Sequence, residues 1–255
     1  MRLPTGTRRV LSLPRAGRSG SALLEDGAAR RRVLVPGEIH VQMSAFFKFI
    51  NSSIGKKMLM GVTGLMLCLF LVGHLAGNLL LYVGPDAFNA YAHTLQKNPV
   101  LVPIELGLLA VFLFHIFLAI RVTLDNRSAR PVPYALDEAA GPGRSVASRT
   151  MIYSGLVMAL FVPVHLINFK YGDIVGGDLY GLVVRTFQSP GWALFYVASM
   201  AVLANHLRHG FRSGFQSLGA LCGKTDAPAR MLSVVFGVAI GGGFLLIPVW
   251  AFLFK

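Results

Sequence analysis

The sequence predicts an all-α integral membrane protein, a bundle of five transmembrane helices with its N-terminus in the cytoplasm. Of its 255 residues, 54% are hydrophobic and 14% are charged, whereas charged residues make up about a quarter of an ordinary soluble protein. Five stretches reach the length of about 20 mostly apolar residues that a helix needs to cross a bilayer. None shows the alternation of a barrel strand, so each is expected to satisfy its backbone hydrogen bonds internally as a helix.

Residues 1–42 differ in composition from the rest of the chain. They are rich in Arg, Gly, Ala and Ser, follow no sustained period and lack the apolar segment of a signal peptide. The sequence predicts a disordered basic extension here. A transit peptide is an alternative, although the acidic Glu25, Asp26 and Glu38 fit it poorly. Met43 is a second candidate translation start, and the mass of the native N-terminal peptide would decide between the two.

Polar connections with proline and glycine separate the five spans. These residues interrupt helices, and one example is Gly84-Pro85. The predicted spans are residues 58–82, 100–121, 151–169, 190–208 and 231–254. Residues 43–255 are therefore expected to form one membrane domain without a separate soluble domain.

Positive charge is concentrated in alternate connections, and this orients the bundle. The basic connections hold Lys56, Lys57, Arg121, Arg127, Arg130, Arg144, Arg149, Arg208, Arg212, Lys224 and Arg230. The two opposite connections, 83–99 and 170–189, carry far fewer basic residues. The positive-inside rule therefore places the N-terminus in the cytoplasm and the C-terminus outside. The net charge of +13 is thus expected to orient the protein in the membrane, not to bind nucleic acid.

Four of the predicted helices each carry a histidine in an apolar run: His74, His115, His165 and His206. An ionisable residue inside a membrane helix is costly and by default indicates a functional site. Each histidine lies two-thirds to four-fifths of the way along its helix, and successive helices run antiparallel. His74 and His165 are therefore expected at one level toward the outside, and His115 and His206 at another toward the cytoplasm. At 1.5 Å per residue, the two levels lie roughly 12 Å apart.

Two pairs of imidazoles, each pair at one depth, suit axial ligation of two b-type haems in a bundle core. A single membrane histidine is more often a hydrogen-bonded core residue, but four in matched positions favour haem. Glycines could leave room for a porphyrin: Gly61, Gly64, Gly73 and Gly77. The G-x-x-x-G spacing of Gly73 and Gly77 favours helix packing instead. The two cysteines, Cys68 and Cys222, are expected to be free thiols, since an iron–sulfur cluster needs about four.

Together these motifs resemble a known family, the dihaem cytochrome b membrane anchors of bacterial succinate dehydrogenases and fumarate reductases. The resemblance covers about residues 46–254. It rests on LVGHLAGN in the first span, PDAFNAYAH in the next connection, FHIFLAIR in the second span, VPVHL in the third and HLRHGFRSGFQSLG at the end of the fourth. Each motif is weak alone, but their order on five spans is specific.

The resemblance implies four axial haem ligands, paired as His74 with His165 for the outer haem and His115 with His206 for the inner haem. His206 is preferred to His209 because the family's ligand lies about one helical turn before the glycine matched by Gly210. Some family members have a glutamate two residues before this ligand, proposed for coupled proton movement. This chain has Ala204 there, which argues against proton coupling through that position.

The resemblance also implies partners. The chain has no dinucleotide fingerprint and no cysteine cluster, so we expect that it does not oxidise succinate alone. A flavoprotein subunit with covalently bound FAD and an iron–sulfur subunit would dock on its cytoplasmic face, in the inner membrane of a bacterium. This face is formed by residues 43–57, 121–149 and 208–230. Electrons would run between the iron–sulfur subunit, the two haems and a quinone, either menaquinone or ubiquinone. Arg121 and Arg208 are candidate contacts for the propionates of the inner haem, or charge anchors only.

Glu105 is the candidate for quinone-linked proton transfer. It lies ten residues before His115, which is about 15 Å along the helix axis, and therefore near the level of the outer histidines. Its alternative role is an acid in the first turn of the helix, stabilised by the helix dipole. Two alternative functions stay open for the whole chain: a dihaem cytochrome of a hydrogenase or formate dehydrogenase, and a haem-free proton-coupled transporter.

Overall fold

The computed structural model describes residues 36–129 and 150–255, with side chains from residue 44 onward. Over these two ranges the chain is helical and contains no β-strand, which confirms the all-α class. Its helices are α1 (Pro36–Asn51), α2 (Ser53–Asn78), α3 (Pro85–Gln96), α4 (Leu101–Ser128), α5 (Met151–His165), α6 (Leu179–Gln188), α7 (Pro190–Ser217) and α8 (Asp226–Phe254). A 3₁₀ turn, Leu79–Tyr82, extends α2, and a π-helical turn, Leu166–Lys170, extends α5.

Four helical segments are long and apolar enough to cross a membrane: Ser53–Tyr82, Leu101–Ser128, Met151–Lys170 and Asp226–Phe254. They correspond to the first, second, third and fifth predicted spans, and each is longer than predicted. These four segments are therefore compatible with a chain that crosses the membrane several times.

The fourth predicted span, 190–208, lies in α7, which is not among these four segments. Its helix continues to Ser217, and its C-terminal half carries polar residues such as Asn205 and Arg212 that lower its hydropathy. α7 packs against α2, α5, α6 and α8. A helix surrounded by other helices can carry polar side chains that a lipid-facing helix cannot, because they meet protein partners.

The predicted N-terminal extension lies mostly outside the described residues. α1 begins at Pro36 and continues past Met43, so residues 36–42, which the sequence assigned to a disordered extension, are helical. The larger structural unit of the chain is Met43–Lys255. Residues 130–149, which carry part of the predicted cytoplasmic charge, also lie outside the described ranges.

Two short helices, α3 and α6, lie in connections where the sequence predicted no helix. α3 follows Gly84, whose φ of 137° suits glycine, and opens with Pro85, a residue that favours the first turn because its φ is already helical. α6 begins after Asp178, whose carboxylate accepts a hydrogen bond from Gly181 N and so caps the helix.

The same aspartate joins α6 to α3. Asn89 Nδ2 of α3 donates a hydrogen bond of 2.8 Å to Asp178 Oδ1, and Tyr180 N donates one of 2.9 Å back to Asn89 Oδ1. Two hydrogen bonds lower the pKa of the Asp178 carboxyl below its usual value. The bond from Gly181 N contributes most, and the bond from Asn89 contributes next. These bonds hold the two connections together at one end of the bundle.

Glycines on α8 allow its closest contact with α7. A Cβ on Gly241 would lie 2.5 Å from Ala204 Cβ, and one on Gly237 would lie 2.6 Å from Ala204 O. Small residues let helix backbones approach in this way. Ala204 lies at this close contact between the two helices.

Ion pairs link neighbouring helices at both ends of the bundle. Lys56 at the start of α2 pairs with Asp125 near the end of α4, and we call this side the Lys56 end. Arg212 of α7 and Asp226 of α8 pair at the same end. At the opposite side, the Glu105 end, Lys170 Nζ lies 2.5 Å from Glu105 Oε1.

Candidate functional site

The four histidines predicted to bind haem fall into two pairs of neighbours. His74 of α2 and His165 at the end of α5 have ring centroids 5.8 Å apart, with ring planes at 88°. His115 of α4 and His206 of α7 lie within electrostatic range of each other. These are the pairs expected from the depth of each histidine along its helix. Each pair joins one histidine from α2 or α4 to one from α5 or α7.

Aromatic rings surround the first pair, which we call the aromatic pair (His74 and His165). Phe70 stacks on His74 with centroids 5.3 Å apart and an interplanar angle of 16°. Phe161 stacks on His165 at 5.6 Å and 23°. Each phenylalanine lies four positions before its histidine, a spacing at which helix side chains meet. Phe244 of α8 lies 5.6 Å from the His74 ring.

One nitrogen of the aromatic pair has no partner. His165 Nδ1 is buried and forms no hydrogen bond with any described residue. The nearby Phe169 and Tyr196 rings, at 5.4 and 6.1 Å from the His165 ring, enclose it in an apolar setting. A buried polar atom of this kind normally finds a water, an ion or a cofactor as its partner, which supports a bound group at this pair.

Hydroxyl groups hold the second pair, which we call the hydroxyl pair (His115 and His206). Thr63 Oγ1 of α2 lies 3.0 Å from His115 Nδ1 of α4. Ser154 Oγ of α5 lies 3.0 Å from His206 Nδ1 of α7. Thr63 and Ser154 are 6% and 5% exposed, so both bonds are shielded from water. The partner of Ser154 is His206 and not His209, which favours His206 as the functional histidine of α7.

A glycine follows each of these hydroxyl residues and faces the same ring. A Cβ on Gly64 would lie 3.1 Å from His115 Cε1, and a Cβ on Gly155 would lie 3.6 Å from His206 Cε1. The missing side chain allows each imidazole to lie close to the backbone of the neighbouring helix. Gly64 therefore makes room for the ring of His115, and its role in making room for a porphyrin stays a prediction.

The G-x-x-x-G packing role predicted for Gly73 and Gly77 holds only for the second glycine. A Cβ on Gly77 would lie 2.7 Å from the Tyr91 ring of α3. A Cβ on Gly73 would meet no atom of the described residues within 4 Å, so Gly73 packs against none of the described helices. Gly61 is a packing glycine as well, since its Cβ would lie 3.1 Å from Gly214 O of α7.

An internal repeat underlies the two pairs. His165 follows His74 by 91 positions in the sequence, and His206 follows His115 by the same number of positions. The same shift relates the neighbours of the histidines: Thr63 to Ser154, Gly64 to Gly155 and Phe70 to Phe161. The segments TGLMLCLFLVGHL and SGLVMALFVPVHL carry this similarity. Comparing the sequence with itself would have identified Thr63 and Ser154, which the motifs and the hydropathy pattern do not indicate.

The spacing of the aromatic pair is close to that of two imidazoles bound to one metal ion. A metal–nitrogen bond is about 2 Å long, and the ring centre lies about 1 Å beyond the nitrogen, so two imidazoles on opposite sides of one metal have centres roughly 6 Å apart. The observed 5.8 Å agrees with this distance. Within residues 36–129 and 150–255, no three His, Cys, Asp or Glu side chains converge on one point. Two nitrogens per site suit the axial positions of a haem better than a metal ion held by protein ligands alone.

The remaining predicted residues lie at the ends of the bundle. Glu105 is in the second turn of α4, which begins at Leu101, and not in its first turn as one interpretation required. Its side chain is 38% exposed and forms the ion pair with Lys170. Arg121 and Arg208 are exposed toward the Lys56 end. His93 is exposed on α3, away from both pairs.

The two cysteines are free thiols, as expected, with Cys68 buried and Cys222 exposed.

Comparisons of the chain with protein-family models, with curated proteins and with solved structures returned no match.

Proposed function

We propose that the chain is the membrane-anchor cytochrome b subunit of a bacterial succinate dehydrogenase or fumarate reductase, carrying electrons between an iron–sulfur subunit and membrane quinone through two b haems. The observation that carries this proposal is the meeting of four membrane histidines in two interhelical pairs. The order of the sequence motifs on the helices supports this family over other dihaem cytochromes. Haem supplies one-electron transfer at its iron, and the chain supplies the ligands and the surroundings.

Each pair would hold one haem through one nitrogen from each of two helices. His74 and His165 would ligate the outer haem, and the stacked phenylalanines limit the rotation of their rings. His115 and His206 would ligate the inner haem, with their rings held by hydroxyl groups. Exposed Arg121 and Arg208 are the proposed contacts for propionates at the Lys56 end, where negative charge would otherwise be uncompensated.

We further propose that α7 crosses the membrane as a fifth span and that the Lys56 end is cytoplasmic. With 28 residues, α7 is about 42 Å long and exceeds a hydrocarbon core of about 30 Å. Its polar residues lie mainly toward the Lys56 end, where they would reach the interface. The concentration of lysine and arginine in the connections of this end supports the orientation.

The Lys56 end would then bind the flavoprotein and iron–sulfur subunits, and the Glu105 end would serve quinone. Glu105 is the proposed proton-transfer residue because quinone reduction takes up protons together with electrons, and a carboxylate can exchange them with the outer aqueous phase. Its partial exposure and its partner Lys170 are compatible with such exchange.

Purification of the chain from its native membrane with a mild detergent tests this function. We expect a reduced-minus-oxidised spectrum of b-type haem, two haems per chain in a pyridine haemochromogen assay, and co-purification of a subunit with covalently bound flavin. A haem-free chain would contradict the proposal and favour a transporter. Two haems together with a hydrogenase or formate dehydrogenase subunit would retain the cytochrome but exclude the succinate-linked complex.

A further inference from the structure

We propose that Thr63 and Ser154 are positioning residues that fix the tautomer of His115 and His206, so that each ring offers its Nε2 lone pair to the inner haem. This inference rests on the proposed function, since it concerns the ligands of one of the two haems. It adds two residues to the four histidines, and it accounts for the hydroxyl group that each half of the repeat places beside a histidine.

The proton of each hydroxyl determines the direction of its bond to the histidine. Thr63 Oγ1 lies 2.9 Å from Leu59 O and 3.1 Å from Met60 O, and Ser154 Oγ lies 3.0 Å from Met151 O. Two oxygens at this distance repel each other unless a proton lies between them, and a carbonyl has no proton to give. Each hydroxyl therefore donates its single proton to the backbone carbonyl of its own helix.

The histidine must then be the donor in the second bond. With its proton directed at the carbonyl, the hydroxyl oxygen can only accept from the imidazole, so Nδ1 of His115 and Nδ1 of His206 carry the hydrogen. A neutral imidazole has one N–H and one lone pair. Nε2 is therefore left unprotonated in both rings, and this is the form that binds a metal.

The geometry around each ring reinforces this selection. Gly64 and Gly155 let the imidazole lie against the helix that carries the hydroxyl, with the Cε1 distances given above. The pairs Thr63-Gly64 and Ser154-Gly155 occupy matching places in the repeat, although their sequences differ. The repeat keeps the same arrangement in both halves, once for each histidine of a single site, which is consistent with a shared requirement of that site.

The bond also changes how strongly each ring donates to iron. A histidine ligand that donates its other N–H to an acceptor becomes a better electron donor, and loss of such a partner typically lowers metal affinity about 10–100-fold. A stronger donor stabilises Fe(III) relative to Fe(II). Removal of the hydroxyl acceptors should therefore raise the reduction potential of the inner haem and leave that of the outer haem unchanged.

The test uses the full complex with Thr63→Val and Ser154→Ala, singly and combined. Thr63→Ser is the conservative variant that keeps the hydroxyl, and Thr123→Val is the matched control, since Thr123 Oγ1 bonds only to Ala119 O of its own helix. The readouts are the two midpoint potentials from redox titration, the low-spin Fe(III) EPR signals, which report the orientation of the ligand rings, and the rate of haem loss.

We expect Thr63→Val and Ser154→Ala to raise one midpoint potential, shift the corresponding EPR signal and speed loss of that haem about tenfold or more. Thr63→Ser and Thr123→Val should match the wild type. Unchanged potentials, EPR signals and haem retention in the combined variant, in a preparation whose wild type holds two haems, would overturn this inference alone. A wild type without haem would instead overturn the proposed function.

Discussion

The aromatic pair and the hydroxyl pair are built by the same repeated unit but have different surroundings. In one, a phenylalanine one turn earlier on the same helix stacks on each histidine. In the other, a hydroxyl on the neighbouring helix binds each histidine. Stacking restricts ring rotation without involving the nitrogens, whereas the hydroxyl determines which nitrogen carries the proton.

This difference shows that two similar halves of an internal repeat can form two sites with different surroundings. Each half contributes one histidine to each pair, so each site is almost symmetric within itself. The asymmetry instead lies along the helix axis, between the Glu105 end and the Lys56 end. Under the proposed function, the two sites need different environments if electrons are to move in a preferred direction, since surroundings set the potential of a haem.

The largest effect should follow removal of a histidine. His165→Ala is expected to lose the haem of the aromatic pair, and His206→Ala the haem of the hydroxyl pair, because each removes one of two axial nitrogens. Haem-to-protein ratios and redox titrations of the purified variants would show which haem is lost. His93→Ala and His209→Ala serve as controls and should keep both haems. Full haem content in His206→Ala, with loss in His209→Ala, would reverse the assignment on α7.

Loss of proton exchange at one end of the bundle should give the next effect. Glu105→Gln keeps the size of the side chain but cannot titrate, so quinone-linked turnover should fall, while both haems and succinate oxidation with an artificial dye are retained. Asp125→Asn, which removes the carboxylate partner of Lys56 at the opposite end, is the matched control. Unchanged quinone-linked turnover in Glu105→Gln would leave Glu105 with its ion pair to Lys170 as its only role.

The two halves of the repeat can be compared directly at their glycines. Gly64→Ala would place a Cβ 3.1 Å from His115 Cε1, whereas Gly155→Ala would place one 3.6 Å from His206 Cε1, an ordinary contact distance. Overpacking typically costs about 1–3 kcal/mol, so Gly64→Ala should weaken haem retention at the hydroxyl pair more than Gly155→Ala does. Haem-loss rates would measure this, and equal rates in the two variants would contradict it.

Removal of a stacked ring at the aromatic pair should have a smaller effect on the haem than removal of a histidine ligand or replacement of a glycine. Phe70→Leu and Phe161→Leu remove a ring from each histidine, and such aromatic contacts contribute about 0.5–1.5 kcal/mol. We expect a modest change in the EPR signal of the aromatic-pair haem and none at the hydroxyl pair. Phe114→Leu is the control, since its ring stacks on Phe117 of the same helix and is 42% exposed. A change at the hydroxyl pair would contradict the separation of the two sites.

The pairing of the histidines could be predicted from sequence because it depends mainly on depth, and depth follows from the rise per residue. The partners Thr63 and Ser154 could not be predicted in this way, because they depend on how neighbouring helices rotate toward each other. Only the repeat would have identified them. A span in α7 was predicted from the apolar first half of this helix, and its polar second half makes the helix less apolar than the four segments that are apolar enough to cross a membrane.

The helices α3 and α6 were missed for a different reason. They are too short to cross a membrane, so the length and hydropathy that predict spans do not predict them. Their start signals, Pro85 after Gly84 and Asp178 three residues before Gly181, are local and visible in the sequence. What cannot be seen there is the bond between Asn89 and Asp178, which joins residues far apart in the chain.

The smallest expected effect concerns this bond, which lies at the end of the bundle that holds the aromatic pair. Because hydrogen bonds from Gly181 N and Asn89 lower the pKa of Asp178 below its usual 3.8, the carboxylate contributes stability at neutral pH. That contribution is complete above the unfolded-state pKa and is lost as the pH falls through the lowered pKa of the folded state. Asp178→Ala should therefore lower the melting temperature by a few degrees at pH 7, and the difference from the wild type should shrink below about pH 4. Asp173→Ala, in the same connection, is the control for loss of a negative charge. Melting curves of the detergent-solubilised proteins at pH 7 and pH 3 would measure both differences, and a deficit of Asp178→Ala that is equally large at pH 3 would show that the ionised carboxylate is not what holds α3 to α6.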